Sequence, residues 1–237
     1  MKQGHSIAVV IPALNEERAI GRVLADIPGW VDLVVVADNG STDRTAAIAA
    51  SGGAVVVRQP EPGYGAACLA GIARAGTVDI VVFLDGDYSD YPQDMDDIVA
   101  PILAGEAEMV IGSRVLGERE AGSLMPQQRF GNWLATRLIR LIWRVGYTDL
   151  GPFRAIRADS LARLGMADRT YGWTVEMQIK GAIAGLAVRE VPVRYRRRIG
   201  TSKVSGTVKG TILAGWKILS LIGRYALRAP PGLQRAR

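Results

Sequence analysis

Residues 79–94 read DIVVFLDGDYSDYPQD, an apolar run that ends in four aspartates within ten positions: Asp85, Asp87, Asp90 and Asp94. A run that is apolar at every position, not every second one, fits a strand covered on both faces, as in a parallel sheet between layers of helices. In such sheets ligands bind beyond the carboxyl ends of the strands, and the acids stand at that end. Mg²⁺ or Mn²⁺ is commonly held by one or two carboxylates together with substrate phosphates. Asp85 and Asp87, one on each side of Gly86, supply that half-shell as a DxD motif. Capping accounts for the other acids: Ser89 or Asp90 with Pro92 reads as a helix start, and Asp94, Asp96 and Asp97 suit its positive end.

Working outward, IAVVIP (7–12), DLVVVAD (32–38) and AVVVR (54–58) repeat the apolar pattern, with helices predicted over 17–26, 43–50 and 65–75. Strands alternating with helices predict an α/β fold with a mostly parallel sheet. Right-handed crossovers then bring the strand ends at 12–16, 38–43 and 85–90 to one rim. There Asp38 can accept hydrogen bonds from a base or ribose and Glu16 can reach a ribose hydroxyl, while Ser41, Thr42 and Asp43 read as helix caps. PGYGAACLAG (62–71) is neither a Walker loop nor GxGxxG. Its small residues allow either close approach to a nucleotide or a tightly packed helix start.

The chain has 237 residues, 49% hydrophobic, enough for one large domain or two small ones. Its net +6 hides a division: residues 1–113 hold 6 basic and 16 acidic side chains, residues 114–237 hold 23 and 7. Without zinc-finger spacing or an aromatic RNA-binding signature, the basic half does not read as a nucleic-acid binder; a phosphorylated ligand or an anionic membrane suits it. A single cysteine, Cys68, excludes an internal disulfide. The N-terminal apolar run, broken by Pro12, reads as a strand and not as a secretory signal; the expectation is a cytoplasmic protein.

In the second half, residues 128–146 predict a helix with Phe130, Trp133, Leu134, Leu138, Leu141, Ile142 and Val145 near one face and Arg137, Arg140 and Arg144 on another. It either packs on the core or lies on an anionic bilayer. DLGPFRAIR and LAVREVPVRYR read as strands, 159–166 and 173–184 as helices. A final helix over 207–227 is interrupted by Lys209, Lys217 and Arg224, too often for a membrane span. RYRRRIGTSKVSG (194–206) is a basic Gly/Ser/Thr segment whose Arg198 and Lys203 could close on a diphosphate. Alternation along an extended chain keeps Arg196, Arg197 and Arg198 from meeting one ligand together.

Taken in order, PALNEE, DNGSTD, GYGAA, DGDYSDYP, GSR, DLGPFR, YGWTVEM and R-x-G-x-S-K resemble the family 2 glycosyltransferases of GT-A fold over residues 7–206, nearest the polyprenyl (dolichyl) phosphate mannose and glucose synthases. The resemblance implies a UDP- or GDP-hexose donor and Mg²⁺ or Mn²⁺. By position, Pro12, Leu14, Glu16 and Asp38 would line the nucleoside pocket beside Ala66, and Asp85 and Asp87 would hold metal and diphosphate. Arg114, Arg198, Ser202 and Lys203 would meet phosphates, and Asp149 and Arg154 would border the acceptor. The usual DDGS is DNGS here, and Arg197 competes with Arg198 for the diphosphate.

The implied organisation is a donor lobe at 1–113, an acceptor lobe at 114–206 and a C-terminal helix and tail at 207–237. The implied reaction is a metal-dependent, inverting hexosyl transfer to a polyprenyl phosphate or other membrane-associated acceptor, with peripheral contact on the inner membrane face. A hydroxyl acceptor on a soluble metabolite or glycan, with Glu176 as general base, is the alternative. A non-catalytic nucleotide- or membrane-binding module is the alternative of another class.

Overall fold

Strand β1 (Ile7–Ala13) is buried at all seven positions, and its side chains divide by the period of two. Ile7, Val9 and Ile11 enter one core and Val10 the other, so the strand must be central, with helices on both sides. It pairs in parallel with β2 (Leu33–Asp38) and β4 (Ile80–Phe83), and β2 pairs in parallel with β3 (Val55–Arg58). The computed structural model describes residues 1–200 and 208–228. Its seven-stranded sheet has the order β3-β2-β1-β4-β6-β5-β7.

Strand β6 (Arg154–Arg157) runs antiparallel to both of its neighbours, β4 and β5 (Met109–Ser113), and β7 (Val188–Pro192) runs parallel to β5. The fold is therefore the expected α/β, GT-A-like architecture, and the sheet continues through both halves of the chain. Short β5, ending in Gly112 and Ser113, is legible in sequence only as part of the GSR motif. Because β6 is reversed, its first residue, Arg154, lies opposite Phe83 and Ile111. This brings DLGPFR to the same rim as the ends of β1, β2, β4 and β5.

Helices α1 (Ile20–Asp26), α2 (Thr45–Ser51) and α4 (Met95–Leu103) pack with one core; α3 (Tyr64–Ala75), α5 (Pro126–Trp143) and α7 (Trp173–Ala184) pack with the other. Short α6 (Ala158–Leu164) joins the second core, and α8 (Val208–Arg228) docks on it through Ile222. No helix among the described residues is long and apolar enough to cross a membrane.

Helix α5 departs from expectation. Ala135, Thr136, Ile139 and Trp143 form its inner face, whereas Phe130, Trp133 and Leu141 are 62%, 53% and 77% exposed. At 3.6 residues per turn those three share the outward side with Arg137, Arg140 and Arg144. Of the apolar face assigned from sequence, Leu138, Ile142 and Val145 pack against the second core, whereas Phe130, Trp133 and Leu141 stand on the basic face.

Candidate active site

The loops after β1 and β2 are clamped to each other. Asn15, at φ 52°, donates its N–H to Ser41 Oγ (2.9 Å) and accepts the Thr42 N–H at its Oδ1 (2.8 Å). The N–H groups of Glu16 and Glu17 donate to Thr45 Oγ1 and Asp43 Oδ2 at 2.7 and 3.2 Å. DNGSTD thus does more than cap: Asp43 also accepts the Thr45 N–H, but most of the motif fixes the loop carrying Pro12, Leu14 and Glu16, all three of which line a cleft of about 500 Å³.

Asp38 is buried, accepts the Ser41 N–H at 3.1 Å, and does not line the cleft, which puts it behind the pocket and not on its surface. Asn39, where the family pattern has aspartate, does line it. Its Nδ2 donates to the carbonyls of Gln59 (3.0 Å) and Glu61 (2.7 Å), and its Oδ1 accepts the Gly63 N–H (2.8 Å). Only an amide can both donate and accept in this way, so the departure from DDGS has a structural use.

The glycines of GYGAA serve packing. A Cβ on Gly65 would stand 2.0 Å from the Asp168 carbonyl oxygen, and one on Gly63 2.1 Å from that of Arg169. The start of α3 is pressed on this loop, with Ala66 N–H donating to the Arg169 carbonyl at 2.9 Å. Ala66, expected beside the nucleotide, is fully buried away from the cleft; Gly63, Tyr64 and Ala67 line it instead.

Asp85 and Asp87 both line the cleft. The Tyr64 hydroxyl donates to Asp85 Oδ1 at 2.9 Å. Burial first, and Asp87 second, push Asp85 up to about 6, with Arg198 pulling the other way. Asp87 Oδ1 accepts the N–H (2.9 Å) and hydroxyl (2.5 Å) of Ser89, and Asp87 Oδ2 pairs with Arg198 Nη1 at 2.9 Å. Nearby Asp90 is buried with neither oxygen hydrogen-bonded, and burial together with Asp85 and Asp87 holds it well above the ordinary carboxylate range.

The division of the aspartates is corrected in part: Pro92 opens the helix and Asp94, Asp96 and Asp97 stand in its first turns as expected, but neither Ser89 nor Asp90 makes a capping bond. Asp94 also accepts the backbone N–H (2.7 Å) and Nε (2.9 Å) of Arg194. Arg196 stacks 3.4 Å from the Tyr88 ring centre, and Arg198 enters the cleft. Arg197 turns away to the Ala121 carbonyl at 2.8 Å. The alternation expected of the basic run is present, and it is Arg198 that meets the acids. Ser202 and Lys203 lie outside the described residues.

Arg114 reaches the cleft because Asp149 aims it: Nε and Nη2 each donate to one carboxylate oxygen at 2.7 Å, and the Arg114 N–H donates at 2.8 Å. Burial would raise Asp149, but the Arg114 charge and bonds outweigh it and hold it below its ordinary value. Neither Asp149 nor Arg154 lines the cleft as an acceptor border. Arg154 is fully buried, donating to the carbonyls of Gly151 (3.1 Å) and Thr174 (3.0 Å), and burial lowers it to about 10.

Glu176, expected as general base, also lies off the cleft. Its Oε2 accepts the N–H groups of Ala167 (3.1 Å) and Asp168 (2.7 Å), and its Oε1 takes the Tyr225 hydroxyl (2.9 Å) and Lys180 Nζ (3.0 Å). That is the bonding of a strut under α8, with no reach to a substrate proton.

No group of three or more His, Cys, Asp and Glu among the described residues forms a closed metal cage. Two carboxylates without a cage, beside an orphaned third, fit a divalent ion that completes its shell with substrate phosphates. Arg114 and Arg198 add the charge a diphosphate needs.

Residues 8–165 match the model of glycosyl transferase family 2, and the chain belongs to that family. An uncharacterized glycosyltransferase of Mycobacterium tuberculosis is 40% identical over 222 residues, 92% of this chain and 99% of the relative. A dolichyl-phosphate hexose transferase of Haloferax volcanii is 34% identical over 211 residues, 87% and 90% of the two chains. Among solved structures, glucosyl-3-phosphoglycerate synthase of M. tuberculosis, in complex with Mn²⁺, UDP and glucosyl-3-phosphoglycerate, is similar with a TM-score of 0.73 and 27% identity, over 94% of this chain and 81% of that one.

These findings correct the expected branch and acceptor. Solved structures that the chain matches over 94% of its length include those of an enzyme complexed with phosphoglyceric acid and with glucosyl-3-phosphoglycerate, which are small water-soluble acids and not lipid phosphates.

Proposed function

We propose that this chain transfers a hexose, glucose in the first instance, from a UDP-sugar to a hydroxyl of a small soluble metabolite. The observation that carries the proposal is the convergence of Asp85 and Asp87 with Arg114 and Arg198 in one cleft at the carboxyl ends of the strands. The Mn²⁺ complexes of the solved relative support a divalent ion here. Asp85 and Asp87 would hold it, and it would offset charge on the departing diphosphate. Pro12, Leu14 and Glu16 form the nucleoside wall, with Asp38 and Asn39 bracing it. Arg114 and Arg198 bind phosphate oxygens, joined by Ser202 and Lys203. In this reading residues 1–113 carry the donor, residues 114–206 most of the acceptor site, and the protein works in the cytoplasm.

The test is a melting and turnover assay of the full chain. UDP with Mn²⁺ should raise the melting temperature more than either alone, and UDP-glucose should release UDP. A protein that ignores UDP in the presence of Mn²⁺ and releases none from UDP-glucose would reject the UDP-sugar reading.

Contact of the outward face of α5 with an anionic membrane is proposed separately from the acceptor. Phe130, Trp133 and Leu141 stand among Arg137, Arg140 and Arg144, and residues 121–148 contain no acid. The protein should sediment with phosphatidylserine-rich vesicles at low salt and lose most of that binding in Phe130→Ser/Trp133→Ser. Remaining in the supernatant would refute the contact.

A further inference from the structure

The turn that follows Asp85 and Asp87 is held in a costly shape. Tyr88 sits at φ 63°, a region that a bulky side chain seldom adopts. Its hydroxyl donates to Asp26 Oδ2 at 2.8 Å, and Arg196 stacks on its ring, so the turn is fixed from two sides. The residues after it are bound to the segment at 194–199. Arg196 donates its N–H to the Ser89 carbonyl at 2.9 Å and its Nη2 to the Asp90 carbonyl at 3.1 Å, and Asp90 forms a β-bridge with Tyr195. The Asp90 main chain is thereby pinned with its carboxyl inside the protein, 1% exposed, where neither oxygen has a hydrogen-bond partner.

Carboxylates that brace this region are bonded. Asp149 accepts from Arg114, and Asp94 accepts from Arg194. Asp90 differs from both, although a buried polar group without partners costs stability and calls for a cause. The charges that act on it most strongly are those of Asp85 and Asp87, which line the cleft. Three acids gathered in this way repel one another, and burial adds to the cost. A divalent cation at Asp85 and Asp87 is the ligand whose field turns that repulsion into attraction.

Resting on the transfer reading above, we infer that Asp90 is a positioning residue of the divalent-cation site, acting through Asp85 and Asp87 to strengthen their hold on the ion. It is not itself a ligand. Asp90 does not line the cleft, and among the described residues no three acids form a cage. Residues placed behind metal ligands in this manner tune affinity by their charge and by the orientation they impose.

The test titrates the full chain with UDP, with and without Mn²⁺, by calorimetry, and records its melting temperature without ligand. In wild type, Mn²⁺ should tighten UDP binding. In Asp90→Asn, which keeps the shape, that gain should shrink about tenfold or more. UDP alone should bind no more weakly, and the melting temperature should be no lower, because the charge removed is a buried and unpaired one. Asp94→Asn is the contrast: it removes the acid that Arg194 uses, so it should melt lower and keep the Mn²⁺ gain of wild type. An undiminished gain in Asp90→Asn would overturn the inference. A lower melting temperature in that variant would do so too, since it marks a carboxylate that braces the fold or pairs with a cation such as Lys203. Equal weakening of UDP alone, or an equal loss of gain in Asp94→Asn, would likewise count as refutation. A wild-type protein whose UDP binding is indifferent to Mn²⁺ would instead bring down the cation of the transfer reading itself.

Discussion

Replacing Asp87 with alanine should lower hexosyl transfer by about 10³-fold or more and remove the Mn²⁺-dependent part of UDP binding. The size follows from the several kcal/mol that a cation contributes to charge stabilisation in the transition state, at about 1.4 kcal/mol per decade of rate. The fold should tolerate the change. Asp87 is grouped with Asp85 and Asp90, and those two are pushed up partly by its charge. Removing it relieves that repulsion while losing the Arg198 pair and the two Ser89 bonds. Asp87→Asn, which keeps the volume, should melt within a few degrees of wild type and still lose Mn²⁺-dependent binding. Near-normal turnover in Asp87→Ala would reject the site, whereas a collapse of melting temperature in both variants would make Asp87 a structural residue.

The donor side of the cleft is legible in sequence because it depends on local order. An apolar strand must end, and the residues that follow it at 12–16 and 85–87 must lie on the rim. Residues whose side chains answer to distant partners are not legible in this way. Asp149 and Glu176 look alike as acids in motif-bearing segments, yet Asp149 orients Arg114 from 35 positions away and Glu176 meets Tyr225 across 49. Asn39 reads as a weakened motif until the 59–63 loop is seen to hang from its amide. In α5 the helical period is visible in sequence but its phase is not: Trp143 and Ile139 face the core while Trp133 and Leu141 face outward. Only the partners of the helix, α7 and α8, decide which side is inward.

Replacing Glu176 separates a strut from a base. In Glu176→Ala two backbone N–H groups and the Tyr225 hydroxyl lose their acceptor, and the largely buried Lys180 ammonium loses its carboxylate while keeping the Gly165 carbonyl. Breaking a buried pair by removing one partner costs about 3–5 kcal/mol, which for a chain of this size lowers the melting temperature by about 10 °C. Because Tyr225 and Lys217 anchor α8, and α8 lines the cleft through Ala214, Gly215 and Ile218, the loss should appear in the acceptor KM while kcat stays within about threefold. Glu176→Gln keeps the shape and can still accept from the two N–H groups, so its melting temperature should fall by less than half as much. Loss of a general base would give a different pattern, with kcat down by about 10²–10⁴ in both variants and no matching change in stability. That result would return Glu176 to the chemistry and require α8 to shift in the working enzyme, because in the present arrangement Glu176 Oε2 already accepts two hydrogen bonds, and Oε1 accepts one and pairs with Lys180.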